Sequence, residues 1–82
     1  MKVLFFASLR ERLGLAELEV PHDSHIQNAR DLIEHLQHRG ELWQELLQSD
    51  RLCIAINQQM ALFDDAVSAQ DEIAFFPPVT GG

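Results

Sequence analysis

SHIQNARDLIEHLQHRG, residues 24–40, carries the clearest periodicity in the chain. Ile26, Ala29, Leu32, Ile33 and Leu36 recur at helical spacing and give one apolar stripe. Ser24 with Gln27 three positions later fits a capping box, and Gly40 fits a C-terminal stop. The spacing predicts a helix over 25–39. A single apolar stripe needs a single apolar surface to lie on, so the flanking segments decide the fold.

On the N-terminal side, KVLFFAS at 2–8 reads as a strand, and LRERLG reads as a short helical turn ended by Gly14. LAELEV at 15–20 alternates Leu15, Glu17 and Glu19 against Ala16, Leu18 and Val20, a strand with one wet face. Together they predict a hairpin with a wide connection. On the C-terminal side, ELWQELLQ at 41–48 predicts a second, shorter helix with Leu42, Trp43, Leu46 and Leu47 on its apolar face. RLCIAIN at 51–57 is a strand with Leu52, Ile54 and Ile56 on one face and Cys53 and Ala55 on the other. Asn57-Gln58 begins a turn, and MALF at 60–63 returns as a short strand. DDAVSAQDE is a polar connection with room for one helical turn, and EIAFF at 72–76 is the last strand. The order β, β, α, α, β, β, β predicts an α+β fold, a mixed sheet with a helix packed on one face.

Two double phenylalanines bear on function. Strand neighbours point to opposite faces, so Phe5-Phe6 and Phe75-Phe76 cannot all reach the helix layer. Parity groups Val3 and Phe5, and Ile73 and Phe75, as the core sets. Phe6 and Phe76 are left on the less covered face. Two readings stay open: they form a partner surface, or the helix at 41–48 or a loop covers them.

Eighty-two residues make one domain that buries about 60 to 65% of its unfolded surface. A single cysteine, Cys53, excludes an intramolecular disulfide and fits a reducing, cytoplasmic setting. The formal charge of −7, with Lys2 the only lysine and five scattered arginines, argues against nucleic acid as a partner. The acidity either steers the chain towards basic partner surfaces or serves solubility. The apolar run Val3–Leu9 meets Arg10, Glu11 and Arg12 with no small-residue cleavage site, unlike a secretory signal. No stretch approaches the ~20 apolar residues of a membrane span.

No catalytic constellation emerges from the residue types. His22, His25, His35 and His38 lack a completing Cys or carboxylate in a recognised metal pattern and read as solvated. Cys53 reads as inert core. Asp64-Asp65 and Asp71-Glu72 read as loop charges, and Ser8 and Ser24 have no matched triad spacing.

The end of the chain, PPVTGG at 77–82, is built differently. Pro77 and Pro78 cannot donate to a sheet ladder, so the last strand stops there and the exit is stiff. Val79 and Thr80 favour extension; Gly81 and Gly82 remove all side-chain bulk. Residues 1–76 therefore form the folded domain and 77–82 an extended tail. Such a tail suits threading the Gly82 carboxylate into a narrow active site on another protein. A carboxylate is a poor electrophile, so it must first be activated, for example as an acyl-adenylate. A sulfur or amine nucleophile can then capture it. In that scheme the chain needs no catalytic side chain.

FFASLRE at the start, INQQ at 56–59 and FFPPVTGG at the end fall in the order of one family. The chain resembles the small subunits of molybdopterin synthase, ubiquitin-like sulfur carriers with a β-grasp fold, over essentially its whole length. The resemblance implies that an E1-like adenylating enzyme uses ATP to adenylate Gly82, a nucleotide-bearing phosphoprotein state with no stably bound cofactor. A sulfur donor system then converts it to a thiocarboxylate. The tail enters the large subunit's active site and gives sulfur to cyclic pyranopterin monophosphate (precursor Z), in a heterotetramer. By position, Gly82 matches the modified glycine, Gly81 its partner, and Phe6, Met60 and Phe76 apolar contacts to the large subunit and the activating enzyme. The family's first and last strands lie side by side and parallel. Where it commonly has an acidic-glycine turn before the last strand, this chain reads SAQDE, which predicts different backbone angles. Two other readings remain: a carrier for another pathway such as thiamine thiazole synthesis, and a plain interaction module.

Overall fold

Three helices share one side of a five-stranded sheet in the computed structural model, which describes residues 1–48 and 52–78. The elements are β1 (Lys2–Phe5), α1 (Ala7–Leu13), β2 (Glu17–Glu19), α2 (Ala29–Gln37), α3 (Glu41–Leu47), β3 (Cys53–Ile56), β4 (Gln59–Ala61) and β5 (Glu72–Phe76). The strands lie in the order β2-β1-β5-β3-β4. The two central strands, β1 and β5, are parallel, with Val3 beside Ile73 and Phe5 beside Phe75; the other pairings are antiparallel. The expected α+β fold and the central parallel pair are both present.

The core lies between sheet and helices. Val3, Phe5, Ile54, Ile73 and Phe75 from the sheet meet Leu9 of α1, Ala29, Leu32, Ile33 and Leu36 of α2, and Leu47 of α3. The Phe5 and Phe75 rings stack with centroids 6.0 Å apart, and Trp43 of α3 meets Phe5 edge-on at 5.5 Å. Each fully buried large apolar side chain contributes about 1.5 to 3 kcal/mol.

Several boundaries differ from the sequence expectation. β1 ends at Phe5 rather than Ser8. Phe6 is still extended and its N–H reaches the Phe75 carbonyl at 3.1 Å, but Ala7 turns the chain at φ +54 and opens α1. Gly14 ends α1 at φ +76, the left-handed position where glycine carries no Cβ penalty. α2 starts at Ala29, not near residue 25. The cap is Asn28, whose side chain accepts the Asp31 N–H at 2.9 Å, while the Asp31 carboxylate accepts the Gln27 N–H at 3.0 Å. Ser24 instead lies in a turn closed by the Ile26 N–H on the Asp23 carbonyl, and the Gln27 side-chain amide donates to the Ser24 carbonyl. The reason is tertiary: Gln27 and Ala29 bond to Val67 and Asp65, which holds residues 27–28 extended. Gly40 does not end α2, whose C-cap is His38; it sits ahead of α3 at φ +151. Residues 62–71 contain no helical turn.

Candidate docking face and root of the C-terminal tail

Among the described residues no helix covers the side of the sheet away from the core, and the composition of that open face follows from register. One row crosses all five strands: Glu17, Leu4, Ala74, Ala55 and Met60. The next row towards the end of β5 holds Phe76 opposite Cys53, with Phe6 one residue past β1. The row at the opposite end is charged, with Lys2 between Glu19 and Glu72, and the Lys2 ammonium lies 3.8 Å from Glu17. The open face is therefore apolar at the end where the chain leaves the sheet and charged at the other.

Phe6 is 46% exposed and Met60 69% exposed, while Phe76 is half-buried. The helix at 41–48 does not cover these side chains, because α3 packs Trp43 and Leu47 into the core on the other side. Phe6 is held firmly: its N–H donates to Phe75, and its carbonyl accepts from Leu9 and Arg10 at 3.2 and 3.4 Å. Parity alone separated Phe6 and Phe76 from the core; pairing of β1 with β5 sets them in adjacent strands. Met60 joins them because the β3–β4 turn sets it opposite Ala55. That turn has Asn57 at φ +52 and Gln58 at φ +69, the two-residue hairpin geometry that matches strand twist.

Sequence reasoning missed part of this face. Leu62 is 74% exposed, beyond the end of β4. The signal was present in QMALF: Met60 and Leu62 face out, whereas Ala61 and Phe63 pack against the core. Cys53, expected in the core from its apolar neighbours, is half-buried on the open face beside Phe76, since its strand turns Leu52 and Ile54 inward instead.

Pro77 and Pro78 follow Phe76 directly, so the tail begins at the apolar end of the open face. Val79, Thr80, Gly81 and Gly82 lie outside the described residues.

Several of the polar candidates are tied into turns and ion pairs. Asn57 clamps the start of β5: its amide donates to Asp71 at 2.9 Å, and its carbonyl accepts the Glu72 N–H at 3.0 Å. The Asn57 hydrogen bond, opposed by slight desolvation and helped by the Ser68 N–H, holds the Asp71 carboxyl below the ordinary 3.8. Asp71 also closes the 68–71 turn, which needs no positive φ and so no glycine. The Asp23 carboxyl is lowered too, by the His25 N–H, against a small opposing desolvation. Asp64 pairs with Arg30 at 3.0 Å, and Asp65 accepts the Leu62 N–H at 2.8 Å. Among the described residues no three His, Cys, Asp or Glu side chains group as metal ligands, and no helix is long and apolar enough to cross a membrane. A groove of about 580 Å³ lies on the helix side, between Ile33, Leu47 and Phe63.

Comparison with known proteins agrees with this architecture. The chain is 43% identical to the molybdopterin synthase sulfur carrier subunit of Haemophilus influenzae and 42% identical to that of Escherichia coli, covering all of this chain and 99% of each relative. The crystal structure of SAMP1 from Haloferax volcanii superposes with a TM-score of 0.81 at 26% identity, over 99% of this chain and 97% of that one, and the fold is the ubiquitin-like β-grasp. The ThiS family model matches residues 3–82. The chain therefore belongs to the ThiS family, and its two full-length curated relatives are molybdopterin synthase sulfur carrier subunits.

Proposed function

We propose that this chain is the sulfur carrier subunit of a molybdopterin synthase, and that the Gly82 carboxylate is its working group. An E1-like enzyme adenylates Gly82: a carboxylate oxygen attacks the α-phosphorus of ATP and pyrophosphate leaves. A sulfur donor then displaces AMP and leaves a thiocarboxylate. The tail carries that sulfur into the large subunit, where it is transferred to precursor Z. Two sulfurs complete the dithiolene, so the carrier is loaded repeatedly, in a heterotetramer working in the cytoplasm.

The observation that carries this reading is spatial. Phe6 and Phe76, at the apolar end of the open face with Met60 one row in, lie at the root of the tail at Pro77. A partner docked on that face sits where the tail leaves. Full-length identity to the two curated carriers supports the same reading. Because the chemistry belongs to the activating enzyme and the large subunit, the carrier needs only a stable platform, an adhesive face and a tail free of side chains at its tip.

The test is an intact mass of the chain after incubation with ATP, a molybdopterin-type activating enzyme and a sulfide source. An oxygen-to-sulfur increment mapped to Gly82 is expected. A chain lacking Gly82, or extended beyond it, should gain nothing while keeping its melting temperature. No increment in the full chain, with a known carrier modified in the same tube, overturns the reading. Copurification with the large subunit of a different pathway would reassign the carrier.

A further inference from the structure

We propose that Leu62 is an additional anchor for the large synthase subunit, seating in an apolar pocket beside the channel that takes the tail. The inference rests on the carrier reading above. Leu62 is 74% exposed, more than Phe6, Met60 or Leu42, the other large apolar side chains at the surface among the described residues. A leucine kept in water gains nothing for the fold, whereas the same side chain buried at an interface contributes substantially.

Three observations give it a place in the docking face. Alternation along β4 continues past its end, with Met60 out, Ala61 in, Leu62 out and Phe63 in. The last β3–β4 pair is Ile54 with Ala61; extending that register by one residue brings Leu62 level with Cys53, which pairs with Phe76. Leu62 thus belongs to the row at the root of the tail, two strand spacings or about 10 Å from Phe76. A partner footprint of about 800 Å² is roughly 30 Å across, so a protein that grips Phe76 and receives the tail also covers Leu62. Finally, the Leu62 backbone is fixed, since its N–H donates to the Asp65 carboxylate at 2.8 Å and its carbonyl accepts the Asp65 N–H at 3.0 Å. Little ordering is left to lose on binding, as suits an anchor. The charged row of Glu19, Lys2 and Glu72 bounds the apolar surface at the far end, so the footprint is shifted towards Leu62.

The test titrates the full chain into the purified large subunit, with Leu62→Ala, Leu62→Ser, Phe76→Ala and Leu42→Ala compared. Leu62→Ala and Leu62→Ser should raise Kd about tenfold to a hundredfold with the melting temperature unchanged. Leu42→Ala, on the helix side, should leave Kd as it is. Wild-type Kd in both Leu62 variants, with Phe76→Ala weakened, overturns the anchor and leaves the carrier reading intact. Loss in Leu42→Ala equal to that in Leu62→Ala also overturns it. Should sedimentation of the chain alone show a dimer that Leu62→Ser dissolves, Leu62 serves self-association and the proposal falls. Absence of any binding by the wild-type chain defeats the carrier reading itself.

Discussion

Phe5 and Phe75 are 1% and 0% exposed; Phe6 and Phe76, each one residue further along, sit on the open side of the same sheet. The side chains are chemically identical. What separates them is the alternation of a strand, which sends neighbours to opposite faces, and the placement of all three helices on one face. The first pair holds the molecule together, with Trp43 edge-on to Phe5 and the two rings stacked. The second pair takes no part in that core, and the proposed docking sets it against another molecule. A small carrier can thus divide one sheet into a face for stability and a face for recognition.

The largest effect that could break this division comes from truncating each pair in turn. Phe75→Ala should cost about 3 to 5 kcal/mol in urea unfolding, a large share of the stability of so small a domain. Phe76→Ala should cost less than about 1 kcal/mol. Association with the large subunit, measured by titration calorimetry, should instead weaken at least about tenfold in Phe76→Ala. Equal destabilisation by both would mean the open face is part of the core.

Met60→Lys sharpens the same comparison, because it places a charge in the apolar row without touching the helix side. Its melting temperature should stay close to wild type while Kd rises at least about tenfold. Tight binding by this variant would remove β4 from the docking face.

Asn28→Ala probes the helix side alone. It removes the cap on the Asp31 N–H and should cost about 1 kcal/mol in unfolding, with Kd for the partner unchanged. A change in Kd would couple the two faces.

The smallest effect is pH-dependent. Asp71 has its folded pKa lowered from 3.8, first by the Asn57 hydrogen bond. Its ionised form therefore stabilises the fold above that ordinary value, and the contribution disappears as pH falls through the lowered folded value. Asp71→Asn should flatten the dependence of the urea midpoint between neutral and strongly acidic pH. An unchanged acid dependence would show that the clamp at the start of β5 draws nothing from the charge.

Much of this was legible in the chain. The helix stripe from Ala29 to Leu36, the face assignment of Leu52, Ile54 and Ile56, and the outward placement of Phe6 and Phe76 all follow from periodicity, since 3.6- and 2-residue repeats are local properties. Boundaries were less legible. Ala7 at φ +54 opens α1 immediately after Phe6, and no propensity of alanine foretells a left-handed residue there. The start of α2 moved because Asp65 and Val67 bond to Ala29 and Gln27. Leu62 was legible in principle, through alternation in QMALF, but only by following it past the end of the strand.

By itself the sequence determined which residues could face inward, that Pro77 ends the last strand, and that Gly81 and Gly82 carry no bulk, because these depend on neighbours a few positions apart. Only the tertiary structure decided which face the helices cover and which residues from distant strands share the other. Sheet order and register pair Phe5 with Phe75 and Ala55 with Met60 through backbone hydrogen bonds between segments distant in the chain or brought round by a turn. Coverage is a property of packing, and packing is settled by all the elements at once.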